Sequence, residues 1–193
     1  VFAARQILGL GNEKLIARLK ELWGEIRSAA DAKKPLFAKY RKILQPKNLK
    51  NANLSNGRFV YSRTCAACHK LYGEGGAIGP DLTGSDRANL NYLLENVLDP
   101  NAAIVKDYLL NVLITKEGRV INGFITAEND ASLTVQTVAG RILVSKQDLE
   151  SRRTLSVSMM PEAIFQALED EEVRDLVAYL FGKRQVALPK KKK

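Results

Sequence analysis

The chain has 193 residues, of which 46% are hydrophobic, so it is long enough for one or two domains with a buried core. Its net charge of +9 is uneven, because residues 1–50 hold 12 basic and 4 acidic side chains and the last ten residues hold five basic ones. No base-stacking motif accompanies this excess and no apolar run approaches the ~20 residues of a membrane span, so we expect neither nucleic-acid binding nor a membrane span.

Two amphipathic helices are predicted near the N-terminus. Apolar residues recur at helical spacing within residues 12–27 and again within residues 35–44. We expect an antiparallel N-terminal helix pair that either packs on the following domain or trails from a helical domain upstream. Residues 45–56 are rich in Asn, Lys and Pro, which indicates a linker. Ser55 and Asn56 can then cap a third helix.

The most specific feature is the pentapeptide Cys65-Ala66-Ala67-Cys68-His69, an attachment signal for c-type haem. Residues three apart share a face of a helical turn, so both thiols can reach the two vinyl groups of one porphyrin. The adjacent imidazole can then ligate the iron. The alternatives are a zinc half-site, a redox dithiol or a chance match. A structural zinc site needs four ligands, and the sequence has no further Cys or His.

Residues 71–82 contain four glycines and a Gly79-Pro80 step, so this segment cannot form regular structure. A short helix is predicted over residues 89–98, ended by Asp99-Pro100.

A β-rich insertion is predicted over residues 107–146. Its residues are β-branched and alternating, with turns between four runs. We expect a small four-stranded antiparallel meander, vaguely like an Sm or SH3-type barrel, that is partly closed beside the helical fold. The predicted strands are residues 108–115, 119–126, 132–137 and 141–145.

The two methionines of the chain, Met159 and Met160, are adjacent and precede Pro161. A thioether sulfur can complete a His/Met iron site, although Met is also a common core filler. Arg152 and Arg153 lie a few residues earlier. Guanidinium forks suit carboxylates, so this pair could hold haem propionates, and a solvated pair is equally compatible with the sequence.

In these motifs the chain resembles a class I c-type cytochrome. Gly57 and Tyr61 resemble that family's first helix, where a glycine permits close crossing with the last helix, here predicted over residues 170–181 with Asp170 as its N-cap. The resemblance implies that Met160, which directly precedes the proline, is the distal ligand rather than Met159. It also implies that the backbone carbonyl of Pro80 accepts a hydrogen bond from the second ring nitrogen of His69.

The insertion and its flanking motifs resemble the haem-binding module found at the C-terminus of large secreted bacterial proteins. The implied fold is mainly α, with cytochrome c-like helices around one haem c. The implied domains are an N-terminal helical extension with linker (1–50), a haem domain (51–183) and a basic tail (184–193). Cytochromes c mature outside the cytoplasm, so we expect a periplasmic or other extracytoplasmic location. The chain starts at Val1 without a signal peptide, which implies a removed leader or an excised fragment.

The expected function is electron transfer rather than catalysis, because two protein ligands would leave the iron no position for a substrate. The expected partner is a redox protein or an upstream, dehydrogenase-like domain of the same polypeptide. The sequence indicates no oligomeric state. One alternative is a haem enzyme or gas sensor with a displaceable Met160. Another is an interaction module in which the haem only stabilises the fold.

Overall fold

A computed structural model describes residues 7, 12–23, 33–102 and 104–190. Contacts divide these residues into two compact units. The helical unit comprises residues 33–102 and 161–190, and the β unit comprises residues 12–23 and 104–160. The end of the first predicted helix (24–27), most of the connection that follows it (28–32) and the last three lysines (191–193) lie outside the described residues.

Helix α1 (Glu13–Trp23) belongs to the β unit, and the helical unit follows in chain order. In the helical unit, three helices precede the cysteine motif, one follows the glycine-rich segment and one lies near the C-terminus of the chain. Two short strands form a hairpin directly after the motif, with Lys70 opposite Gly75, so the prediction that residues 71–82 lack regular structure was wrong for the start of that segment. The elements are α2 (Lys34–Ile43), α3 (Pro46–Leu49), α4 (Leu54–Thr64), β1 (Lys70–Leu71), β2 (Glu74–Gly75), α5 (Leu90–Leu98) and α6 (Asp170–Phe181).

The predicted linker is partly helical, so that prediction was wrong for α3. Pro46 stands at its start, where the missing N–H costs nothing. The side-chain amide of Asn48 donates to the Ile43 carbonyl at 2.9 Å and so ties α3 to the end of α2. Helix α4 follows after four residues.

Helices α4 and α6 cross very closely at Gly57. A Cβ on Gly57 would lie 2.0 Å from the carbonyl oxygen of Asp175. One turn later the rings of Tyr61 and Tyr179 meet with centroids 5.6 Å apart. The glycine and the aromatic residue predicted for this crossing are therefore both found there.

The N-cap of α4 is Asn53 rather than the predicted Ser55 or Asn56. The buried carboxylate of Asp175 accepts hydrogen bonds from the Asn53 backbone N–H and the Asn56 side chain, each at 2.9 Å. Helix α6 is capped by Glu169, one residue before the predicted Asp170, in a reciprocal capping box. The N-cap residues of both helices therefore lie one to three positions before the residues that the sequence predicted.

Helix α2 packs into the core of the helical unit. Phe37, Tyr40 and Leu44 are buried in the cluster that also contains residues of α4, α5 and α6. The ring of Tyr40 meets Phe165 edge-on with centroids 5.1 Å apart. We predicted this helix as part of an N-terminal extension, whereas its contacts group it with the cysteine motif; the domain boundaries themselves remain a prediction.

The β unit contains a five-stranded antiparallel sheet in the order β6-β5-β4-β3-β7. Its core consists of buried side chains from four of these strands. The predicted number of four strands was wrong, because β7 pairs with β3 and places Arg152 opposite Leu113. The strands are β3 (Leu110–Thr115), β4 (Val120–Glu128), β5 (Ser132–Thr137), β6 (Gly140–Ser145) and β7 (Leu149–Leu155).

Within residues 12–23, 33–102 and 104–190, no helix combines the length and apolar character that crossing a bilayer requires.

Replacing Gly57 with alanine should lower the free energy of unfolding by about 2 to 3 kcal/mol, because the added methyl group forces α4 and α6 apart. Urea unfolding followed by circular dichroism measures the change. Gly84→Ala is the control, since a Cβ there meets no atom within 4 Å. Equal stability of the two variants would contradict a close crossing at Gly57.

Candidate functional site

The cysteine motif forms a helical turn that extends α4. The Cys65 N–H donates to the Tyr61 carbonyl at 2.9 Å, and the His69 N–H donates to the Cys65 carbonyl at 2.9 Å. Both cysteines are free thiols and both are half-buried. Cys65 and Cys68 are three residues apart in this turn, so their side chains share a face.

Burial raises the pKa of the Cys65 thiol. Its sulfur lies 3.3 Å from the hydroxyl oxygen of Thr64, and that hydroxyl donates to the Val60 carbonyl at 2.7 Å. Because the Thr64 proton is engaged by Val60, the Cys65 S–H is the donor to Thr64. The contact with Thr64 therefore orients the thiol at the end of α4.

The glycine-rich segment lies directly against the motif backbone. The Gly76 N–H donates to the Ala66 carbonyl at 2.8 Å, and the Gly79 N–H donates to the Cys68 carbonyl at 2.7 Å. A Cβ on Gly76 would lie 2.2 Å from the Ala67 carbonyl oxygen. This approach explains why the segment needs glycine: any side chain would push the loop off the motif.

The His69 ring is held by Gly79 and Pro80. Its Nδ1 lies 2.9 Å from the Pro80 carbonyl oxygen. A carbonyl can only accept, so Nδ1 carries the proton in this pair, and in the neutral imidazole Nε2 then keeps its lone pair. Nε2 has no hydrogen-bond partner among the residues that the structure describes. The hydrogen bond that the resemblance implied for Pro80 is thus present, and a nitrogen suited to ligating iron is left available.

Two further contacts on His69 were not foreseen. A Cβ on Gly79 would lie 2.6 Å from the ring carbon Cε1, so the imidazole fills the space that glycine leaves. The buried hydroxyl of Tyr61 donates to the His69 backbone carbonyl at 2.7 Å. Burial also raises the pKa of Tyr61, which keeps this donor protonated. Tyr61 was predicted only as a packing residue, because sequence spacing shows its ring at the crossing but not where its hydroxyl points.

The remaining predicted site residues lie in the β unit. Arg152 and Arg153 are consecutive on β7, so their side chains point to opposite faces of the sheet. Arg152 donates to Glu128 at 2.9 Å. Hydrogen bonds from Lys146 and then Arg152 lower the pKa of Glu128. Arg153 has no ion-pair partner among the described residues, so its guanidinium is more available than that of Arg152 to bind another anionic group.

Met159 and Met160 are both half-buried in a bend before Pro161. The Met160 N–H donates to the Ser158 hydroxyl at 3.1 Å. The described geometry thus brings together Cys65, Cys68, His69 and Pro80 in the helical unit. The predicted roles of Met160 and the two arginines remain predictions.

The assembled residues fit a haem c group. The two thiols share one face, and the adjacent imidazole presents Nε2 with its other nitrogen engaged by a carbonyl. The ring of His69 occupies the space that a side chain on Gly79 would fill. In the described part of the chain, no cluster of three or more His, Cys, Asp or Glu side chains is placed to hold a metal ion.

Replacing Gly79 with alanine should displace the His69 ring from the Pro80 carbonyl, because the methyl group would overlap the imidazole. The expected result is weaker ligation by His69, visible as a high-spin contribution to the ferric absorption spectrum of the haem-loaded protein. Gly84→Ala should leave the spectrum unchanged. A Gly79→Ala spectrum identical to that of the unmodified protein would show that this contact does not set the ligand geometry.

Comparison with known proteins gives one family match. Residues 52–132 match the sequence model of a family described as cytochrome C oxidase, cbb3-type, subunit III. The match covers less than half of the chain; it includes the cysteine motif and Pro80 and ends before Met160. No curated protein matches the chain. The family match supports a c-type cytochrome domain, a class of domain that carries covalently bound haem.

Proposed function

We propose that this protein is an electron-transfer c-type cytochrome with one haem c. The thioether bonds would form at Cys65 and Cys68, and His69 and Met160 would ligate the iron. We propose no catalytic role.

The observation that carries the proposal is the arrangement of His69. Its Nδ1 is tied to the Pro80 carbonyl at 2.9 Å, and its ring lies against Gly79, beside two thiols on one helical face. A histidine tied in this way is oriented before the cofactor arrives and is made a stronger electron donor to a metal. The arrangement suits a permanent ligand rather than a group that moves protons.

Bound haem iron supplies a one-electron couple between its ferrous and ferric states. The chain's own residues would set that couple. The hydrogen bond from His69 to Pro80 favours the ferric state, whereas a Met160 thioether favours the ferrous state. With both ligands from the protein, electron transfer needs no substrate at the iron.

We further propose that the protein works outside the cytoplasm, most simply in a periplasm, because c-type cytochrome domains are typically extracytoplasmic. Electrons would pass between a dehydrogenase-like protein, either separate or part of the same polypeptide, and an acceptor. Arg153 would be the better candidate for a haem propionate contact, because Arg152 already pairs with Glu128.

Covalent attachment can be tested by intact mass. Protein expressed in cells equipped for cytochrome maturation and then denatured should exceed the polypeptide mass by one haem, because thioether bonds survive denaturation. Cys65→Ser and Cys68→Ser should each leave a single thioether bond, and the double variant should leave none. A bare polypeptide mass for the unmodified chain would contradict the proposal.

Distal ligation can be tested by comparing two adjacent variants. Met160→Ala should abolish the weak near-infrared sulfur–iron band of the oxidised protein, admit carbon monoxide to the reduced protein and lower the midpoint potential, because the thioether stabilises ferrous iron. Met159→Ala is the matched control and should retain the band. The reverse pattern would assign ligation to Met159. Rapid carbon monoxide binding by the unmodified protein would favour a gas sensor or haem enzyme instead.

A further inference from the structure

A clamp of side chains joins the glycine-rich segment to the C-terminal end of α6. We define the Arg87 clamp as the side chains of Tyr72, Thr83 and Arg87 together with the backbone carbonyl of Gly182. Arg87 donates through Nη2 to the Gly182 carbonyl at 2.9 Å and to the Tyr72 hydroxyl at 3.1 Å. The Tyr72 hydroxyl also donates to the Gly182 carbonyl. The guanidinium lies over the Tyr72 ring, 5.3 Å from its centroid.

The clamp also closes the segment on itself. Arg87 donates through Nη1 to the Thr83 carbonyl at 3.0 Å, and the Thr83 hydroxyl accepts from the Tyr72 N–H at 2.9 Å. Tyr72 and Thr83 stand on either side of the stretch that contains Pro80. Both ends of that stretch are therefore fixed through one guanidinium.

The backbone at Tyr72 shows that this arrangement is held in place. Its φ of 52° lies in the left-handed region, which residues other than glycine rarely adopt. Such a conformation persists where the surroundings over-determine it. The ring contact and hydrogen bonds of the clamp supply that constraint.

The chemistry of Arg87 suits this position. A cation at the end of α6 interacts favourably with the partial negative charge of the helix C-terminus. Its planar fork reaches the Gly182 and Thr83 carbonyls at once, which the single ammonium of lysine cannot reproduce in the same geometry. Helix α6 is itself fixed against α4 by the close crossing at Gly57. The clamp therefore holds the loop in place relative to the helix pair that carries the cysteine motif.

We propose that Arg87 is a positioning residue for the His69 ligand. By holding the two sides of the loop, it keeps the Pro80 carbonyl at hydrogen-bonding distance from Nδ1 of His69. This inference rests on the proposed function, because it concerns how strongly His69 donates to iron.

The test uses the haem-loaded protein with Arg87→Lys and Arg87→Gln. One readout is the rate at which the His69 Nδ1 proton exchanges with solvent, measured by NMR in the ferrous state. The other is the midpoint potential. We expect exchange to be several-fold faster in both variants. We also expect the potential to rise in both, because a weaker hydrogen bond at Nδ1 makes His69 a poorer donor to ferric iron.

Two controls separate positioning from other effects. Arg174→Gln removes a partly buried ion pair with Asp175 on α6, away from the glycine-rich segment, and should change neither readout even if stability falls. Tyr72→Phe keeps the ring but removes one hydroxyl, so exchange should accelerate less than in the Arg87 variants. If the Arg87 variants do not accumulate, Tyr72→Phe still tests the clamp: unchanged exchange in this variant would overturn the inference.

A different pattern would also contradict positioning. A direct effect of the Arg87 charge on the haem predicts a lower potential for Arg87→Gln, no change for Arg87→Lys and unchanged proton exchange in both. Failure of the proposed function is distinguishable from this result, because it would appear as absence of covalent haem in the unmodified protein.

Discussion

The helical unit depends on backbone approaching backbone more closely than any side chain would allow. At Gly57, α4 lies so near α6 that a Cβ would stand 2.0 Å from a carbonyl oxygen. At Gly76 the loop comes as close to the cysteine motif, and at Gly79 the imidazole of His69 fills the missing side-chain volume. None of these three glycines has a positive φ. Each is required because a Cβ at its position would overlap neighbouring atoms. The first contact positions the helix that bears the motif, and the other two position the glycine-rich segment and the His69 ring against that motif.

His69 is consequently held from three directions. Pro80 engages its Nδ1, Gly79 limits where the ring can lie, and Tyr61 engages its backbone carbonyl. In its proposed role, the Arg87 clamp acts on His69 indirectly, by positioning the loop that supplies Pro80. Under the proposed function, a histidine fixed in this way would lose little conformational freedom on binding iron, which would favour a stable and well-defined site.

The two compact units have separate hydrophobic cores. His69 belongs to the helical unit, whereas Met160 is the last residue of the β unit. The β unit also extends further than the predicted insertion of residues 107–146, because β7 pairs along the whole of β3.

Features that depend on neighbouring residues could be predicted from the amino-acid sequence. The cysteine motif, the helices predicted over residues 35–44 and 89–98, and the positions of β3 to β6 all follow from short spacings, periodicity and turn residues. Gly57 and the hydrogen bond at Pro80 followed from a family resemblance. Features that depend on partners distant in the chain became visible only in the folded structure. Strand β7 has exposed polar residues in its interior and becomes a strand by pairing with β3, about forty residues earlier. Asn53 caps α4 together with Asp175, and Arg87 acquires its role from the Gly182 carbonyl. No local pattern marks the long-range contacts of these residues, because the partners come within hydrogen-bonding distance only when the chain has folded.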